Sequence, residues 1–230
     1  MISNDGTFLI VCGLARIYKL KPSDLTNIGY SGLYSREYEY TKDIFSTVDS
    51  IYYYHCGFTG VMKRTSEYHE QQYLITDETV YDTAAYDGKF IYVSKNKIVD
   101  KYSDNGSAGV KELSLDISAQ VSLELKDCIV DDKNLFLASD NEIIKIDKDN
   151  LTYNSKLVLS TEGFTKIYAL TITNNDEYLY FSGYKDGNLR FCKVLRSGVG
   201  NYEEISDEFG FVGYHCDLSG YKRELPLNLI

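Results

Sequence analysis

Short apolar runs bounded by polar turn formers recur along the chain. The run Tyr178-Leu179-Tyr180-Phe181 follows Asn174-Asn175-Asp176 and leads through Lys185-Asp186-Gly187-Asn188 into the apolar-rich stretch 189–194. Asparagine and aspartate bond their own backbone and glycine reaches the left-handed region, so the pattern predicts a turn, a strand, a hairpin and a returning strand. Aligned on the first apolar residue, the run recurs at Phe8, Ile51, Phe90, Leu135 and Tyr178, at spacings of 43, 39, 45 and 43 residues. A period of this size marks a repeat architecture.

Each of these strands is apolar at successive positions, as in Phe90-Ile91-Tyr92-Val93 and Leu135-Phe136-Leu137-Ala138. Neighbouring side chains on a strand point to opposite faces, so both faces must be covered. The returning strands, such as Ile143-Ile144-Lys145-Ile146, mix in polar residues and are expected nearer the rim. Outer segments follow, among them Glu112-Leu113-Ser114-Leu115 and Lys156-Leu157-Val158-Leu159. The next inner strands are expected at Leu123-Glu124-Leu125-Lys126-Asp127-Cys128 and over 167–173. No stretch of about ten residues carries a 3.6-residue apolar period, so no helix is expected.

Four strands per repeat predict an all-β fold, a β-propeller of five four-stranded blades, with residues 1–230 forming one domain. Only seven residues precede Phe8, too few for an inner strand in the first blade. Phe211-Val212-Gly213-Tyr214-His215-Cys216 is expected to supply it, so that a strand around 210–217 pairs with the N-terminal blade and closes the ring. Because Tyr214-His215-Cys216 parallels Tyr54-His55-Cys56, six blades or a fragment of a larger propeller is the alternative count.

Asp176-Glu177-Tyr178-Leu179-Tyr180-Phe181-Ser182, followed by Gly187 and Leu189, resembles the WD40-like repeat of bacterial TolB-type propellers. Ala15-Arg16-Ile17-Tyr18-Lys19-Leu20 with Ser23-Asp24-Leu25-Thr26 is more similar to YVTN-type and quinoprotein-like propellers, as is Ile143-Ile144-Lys145-Ile146-Asp147 with Asp149-Asn150-Leu151-Thr152. The resemblance spans roughly residues 5–216 and implies a fold rather than a function. The tryptophans that stack on a quinone in quinoprotein dehydrogenases are missing, since the chain has no Trp, and no cofactor is expected.

Composition narrows the classes further. The net charge of −10 argues against non-specific binding to nucleic acid or to an anionic membrane, both of which need a basic surface. No run reaches the roughly 18 apolar residues of a membrane helix, and Met-Ile-Ser-Asn-Asp-Gly carries no secretory leader pattern. A cytoplasmic or virion-associated location is the expectation. Cys12, Cys56, Cys128, Cys192 and Cys216 form an odd set without a CxxC pair, which reads as buried free thiols in a reducing compartment.

The repeated His-Cys pair makes Tyr54, His55, Tyr214 and His215 the candidate ligand-binding residues. Adjacent His and Cys on a strand face opposite ways, so they cannot readily share a metal, and packing with a hydrogen-bonded histidine is the plainer account. Asp5, Asp87, Asp132 and Asp176 recur before the strands but lack the spacing of a calcium loop, and turn formation explains them. Asp131-Asp132 and Asp147 with Asp149 are paired carboxylates of the kind glycoside hydrolysis needs, in a chain where carboxylates are common. No GxSxG elbow is present, and Gly198-Val199-Gly200 lacks a dinucleotide fingerprint. No catalytic residue is assigned.

These readings point to a non-enzymatic interaction or ligand-binding module with a protein or glycan partner, its loops presented around a central channel. The longest turns are expected at 29–38, 64–72 and 103–111. Alternatives are a carbohydrate-active hydrolase or lyase using channel carboxylates, and a structural component of a phage or cell-surface assembly.

Overall fold

The protein is described by a computed structural model over residues 9–12, 17–30, 43–46, 52–57, 60–65, 71–75, 81–172, 177–198 and 200–205. These residues form five antiparallel sheets, each built from strands consecutive in the chain. The first sheet has three strands, β1 (Leu9–Cys12), β2 (Ile17–Leu20) and β3 (Asn27–Tyr30). The second holds β4 (Asp43–Ser46), β5 (Tyr52–Gly57), β6 (Gly60–Thr65) and β7 (Gln71–Ile75). The third holds β8 (Thr83–Tyr86), β9 (Phe90–Lys95), β10 (Ile98–Asp104) and β11 (Gly109–Asp116). The fourth holds β12 (Leu125–Val130), β13 (Asn134–Ser139), β14 (Glu142–Asp147) and β15 (Thr152–Val158). The fifth holds β16 (Phe164–Ile172), β17 (Tyr178–Lys185), β18 (Asn188–Leu195) and β19 (Tyr202–Ile205). The one helical element among them is a single 3-10 turn, Ser160–Glu162.

Local chemistry sets these boundaries. Asn96 and Lys97 both take positive φ (49° and 65°) between β9 and β10, and Asp186 and Gly187 do so (49° and 82°) between β17 and β18. That is the hairpin geometry that matches strand twist. Before β9, Asp87 Oδ1 accepts the N–H groups of Lys89 (2.9 Å) and Phe90 (2.7 Å). Before β13 the same role falls to Asp131, which accepts from Lys133 (2.8 Å) and Asn134 (2.6 Å). The turn former there is thus Asp131 and not Asp132, and Asn134 rather than Leu135 is the counterpart of Phe90. The expected turn over 103–111 is shorter than anticipated, since β10 runs to Asp104 and β11 starts at Gly109.

The doubly apolar strands are explained by how the sheets stack. In β9, Ile91 and Val93 enter a core shared with the second sheet, while Tyr92 enters one shared with the fourth. In β13, Leu135 and Leu137 point back to the third sheet, and Phe136 and Ala138 point on to the fifth. Each of the larger ones, such as Ile91, Leu137 or Phe136, contributes roughly 1.5–3 kcal/mol when fully buried. The first strands of successive sheets lie side by side, β4 by β8, β8 by β12 and β12 by β16.

One expectation is corrected. In the fourth sheet the returning strand is as covered as its partner, because Glu142, Ile143, Ile144, Lys145 and Ile146 of β14 are all buried, whereas in the fifth β18 is less covered than β17, as expected. The exposed rim belongs to the fourth strands, such as β11. Polar residues in the returning strands therefore needed another explanation, found in how Lys145 is bonded.

Candidate functional site

A charge buried in an apolar wall is costly unless it is bonded, so the buried ionic groups show where the fold takes its most specific constraints. Lys101 and Lys145 are 5% and 6% exposed. Lys101 pairs across the ladder with Tyr92, and Lys145 with Phe136, so the two occupy one register position in consecutive sheets. Both reach into the following sheet. Lys101 Nζ donates to the carbonyls of Lys148 and Asp149 (both 3.1 Å), and Lys145 Nζ to those of Arg196 and Ser197 (2.7 and 2.9 Å). Lys63 of β6, paired with Tyr54, makes the equivalent reach to Asp104 Oδ2 at 2.7 Å.

Lys101 and Lys145 are each accompanied by an aspartate. Asp87 Oδ2 meets Lys148 Nζ at 3.1 Å, and Asp131 Oδ2 meets Arg196 Nη1 at 3.6 Å. The turn after the third strand of one sheet is thus held by a lysine and an aspartate of the sheet before it. Burial opposes ionisation of Asp87, but the Phe90 and Lys89 N–H groups, the Tyr92 hydroxyl and Lys148 outweigh it and hold the carboxyl below its usual range. Burial and the neighbouring Asp87 carboxylate push the Tyr92 hydroxyl well above its ordinary value. Asp127 is 3% exposed and staples the inner strands, accepting from Leu170 N–H of β16 at 2.6 Å.

Against this closed polar network, one group of side chains on the inner strands is open. Strands β8, β12 and β16 each pair along one edge among the described residues. Bulges interrupt β12 between Leu125 and Asp127, and β16 between Phe164 and Lys166 and again between Ile167 and Ala169. The extra residues are Lys126, Thr165 and Tyr168, all exposed. A bulge leaves one residue outside the ladder and re-aims its side chain. Lys126 and Tyr168 hold the same register position in neighbouring strands, each just before the residue paired with Ala138 or Ser182.

Around Tyr168 (38% exposed) the cluster continues. Lys166 Nζ lies 4.8 Å from the Tyr168 ring centroid, and Lys166 pairs across the ladder with Tyr184, 40% exposed. Thr165 Oγ1 donates to the Tyr184 carbonyl at 3.3 Å. Gly183 makes the tight packing here possible, since a Cβ would meet the Lys166 carbonyl and the Phe164 ring, both at 2.9 Å. Tyr168 and Lys166 on the edge strand β16, with Tyr184 of β17 paired to Lys166, offer flat apolar faces with polar tips and a cation beside them.

The sequence-derived candidates are placed differently. Tyr54 and His55 lie on β5, paired with Lys63 and Met62. Their register counterparts in the next two sheets, Tyr92 with Val93 and Phe136 with Leu137, are core residues. Tyr214 and His215 lie outside the described residues, as do 31–38 and 66–70 of the expected loops. Lys126, Lys166, Tyr168 and Tyr184 were missed by sequence reasoning, because a bulge on an inner strand leaves no periodic signal of its own. Among the described residues no group of three or more His, Cys, Asp and Glu could hold a metal ion.

No family profile matches the chain, and no curated protein matches it in sequence. Solved structures do. The chain superposes on a chain of Kuenenia stuttgartiensis hydrazine synthase with a TM-score of 0.71 at 12% identity, covering 89% of this chain and 64% of that one. It matches a chain of a nidogen/laminin complex with a TM-score of 0.66 at 13% identity, covering 86% and 78%. A chain of the mitotic checkpoint complex gives 0.65 at 11% identity, covering 90% and 62%. These are β-propeller folds. The chain has the β-propeller fold. It spans less than two thirds of the hydrazine synthase and checkpoint chains it matches. The neighbouring first strands β4, β8, β12 and β16 thus line one side of the described sheets, and Lys166 and Tyr168 stand on one of them, β16.

Proposed function

We propose that this propeller is a non-enzymatic binding module that takes a protein or glycan partner at its channel. The observation that carries this reading is the Lys166, Tyr168 and Tyr184 cluster, where exposed aromatic faces and a cation stand on the doubly bulged strand β16 and its partner β17. Aromatic faces stack on the apolar faces of sugar rings, and the ammonium of Lys166 favours a carboxylated sugar or an acidic peptide. The ring is read as five blades, with a strand around 210–217 pairing with the N-terminal sheet, which has three strands among the described residues. Removing residues after Ser206 is then expected to lower the melting temperature, and an unchanged melting curve removes the closing strand.

The deciding experiment is a thermal-shift series with neutral and uronic-acid oligosaccharides, repeated on Tyr168→Ala and Lys166→Ala. A ligand at about 100 times its dissociation constant adds roughly 2.7 kcal/mol, a midpoint shift of about 5–10 °C for a domain of this size. A shift lost in both variants supports a glycan site at the cluster. No shift across the panel assigns the partner to the protein class, and release of reducing ends from any oligosaccharide overturns the non-enzymatic reading.

A further inference from the structure

In a chain of net charge −10, Lys63, Lys111, Lys148, Lys156, Lys185 and Lys193 each meet a carboxylate. Lys126 of β12 and Lys166 of β16, both exposed, make no ion pair among the described residues. The carboxylates nearest Lys126 in the chain do not answer it. Asp127 is 3% exposed and accepts the Cys128 and Leu170 N–H groups at 2.9 and 2.6 Å. Glu124 is exposed and makes no ion pair either. Cations left without a partner in an acidic chain draw anions from solution.

The bond from Leu170 N–H to Asp127 fixes where these two lysines stand. It joins β12 to β16 one residue after Lys126 and two residues after Tyr168, so Lys126 lies across the seam between the fourth and fifth sheets from Tyr168. Both are bulge residues, left outside their own ladders. Lys166 lies two residues before Tyr168, about 6–7 Å along an extended strand. Its Nζ is 4.8 Å from the Tyr168 ring centroid. Tyr168 therefore has one cation on its own strand and a second on the neighbouring sheet.

One sheet earlier the arrangement is not repeated. The place of Lys126 is held there by Asp82, which precedes Thr83 as Lys126 precedes Asp127. Asp82 N–H donates to the Ser94 carbonyl at 2.8 Å, so that residue stays in the ladder, and Asp82 brings a charge of the opposite sign. Two unpaired cations flanking an exposed ring belong to the seam between β12 and β16.

We propose that this seam takes a polyuronate, with one sugar ring on Tyr168 and the carboxylates of successive units on Lys166 and Lys126. The inference rests on the reading of the Tyr168 cluster as a glycan site, and adds the class of glycan and the second cation that selects it. A single uronate brings one carboxylate and satisfies one lysine, whereas a chain of them brings one carboxylate per ring. An acidic peptide matches the two charges but leaves the exposed Tyr168 and Tyr184 faces without a ring to stack on.

The test is titration calorimetry of the full chain with a galacturonate trimer, the same trimer methyl-esterified, and a glutamate tetrapeptide. The charged trimer is expected to bind more tightly than the esterified one. Lys126→Met should weaken the charged trimer roughly fivefold, the upper end for an exposed ion pair, and leave the esterified trimer unchanged. Lys126→Arg should restore the charged trimer's affinity, and added salt should weaken that trimer more in the parent than in Lys126→Met. Because Lys126 is exposed, its variants should melt with the parent, and the exposed Lys133→Met serves as the charge control. Binding that depends on Tyr168 and Lys166 but is unchanged in Lys126→Met overturns the proposal and leaves the glycan site standing. Equal affinity for the two trimers also overturns it, in favour of a neutral glycan. Binding of neither trimer, or binding indifferent to Tyr168→Ala, fails the glycan site and the proposal together. Binding of the tetrapeptide alone, weakened in Lys126→Met, assigns the two cations to an acidic peptide and overturns the polyuronate.

Discussion

Replacing Lys145 by methionine isolates what one inter-sheet lysine does. Methionine keeps the unbranched stem that lies buried in β14 and removes the ammonium, so the Arg196 and Ser197 carbonyls lose donors at 2.7 and 2.9 Å. Hydrogen bonds to a charged group contribute about 1.5–3 kcal/mol each, or roughly 3 kcal/mol for the two at the lower bound. Relief of the buried ammonium from desolvation offsets part of this, leaving a net loss of about 2 kcal/mol. For a chain of 230 residues that lowers the melting temperature by roughly 4–8 °C. With 22 tyrosines and no tryptophan, tyrosine emission follows urea unfolding without interference. The midpoint should fall at constant slope, and amides near residues 196–198 should exchange faster. The exposed Lys89→Met serves as the control, within about 0.5 kcal/mol of the parent. A Lys145→Met midpoint equal to or above the parent's would refute the reasoning.

Three further outcomes are expected. The Asp87 carboxyl is held below its usual range in the fold, so it adds stability above about pH 4–5 and loses it as pH falls through its lowered value. Urea titrations of Asp87→Asn should therefore show a deficit at pH 7 that closes towards pH 2, and a deficit independent of pH would be inconsistent with this. Burial pushes the Cys192 thiol up to about 12, so an aromatic disulfide reagent at pH 8 should label it only in denaturant; prompt labelling of the native protein contradicts its burial. Gly183→Ala forces the Lys166 carbonyl or the Phe164 ring away from 2.9 Å and should destabilise by about 1–3 kcal/mol, read from the same urea curves.

Strand positions were legible in the sequence because a strand covered on both faces must be apolar at successive residues, and Tyr178-Leu179-Tyr180-Phe181 and Phe90-Ile91-Tyr92-Val93 are. The returning strands β10 and β14 were misplaced towards the rim because Lys101 and Lys145 look polar in sequence but are satisfied by carbonyls some 50 residues further along, and no local pattern reports that. The Asp131 turn was off by one residue because Asp131 and Asp132 are equally good turn formers by type. The Tyr168 cluster depends on two bulges, and the pairing of Lys166 with Tyr184 follows only from the ladder register.

The lysines that join the sheets reach, in the cases of Lys101 and Lys145, for peptide carbonyls and not for side chains. A main-chain acceptor is the same whatever residue carries it, so the pairs Lys148-Asp149 and Arg196-Ser197 serve equally although they share no residue type. The lysine half of such a joint is blind to mutation in the turn it holds, whereas the Asp87–Lys148 and Asp131–Arg196 pairs beside it are not. The turns can drift in sequence while the sheets keep their spacing, and a chain built this way can hold a widely shared shape with about one residue in eight in common with the chains it matches.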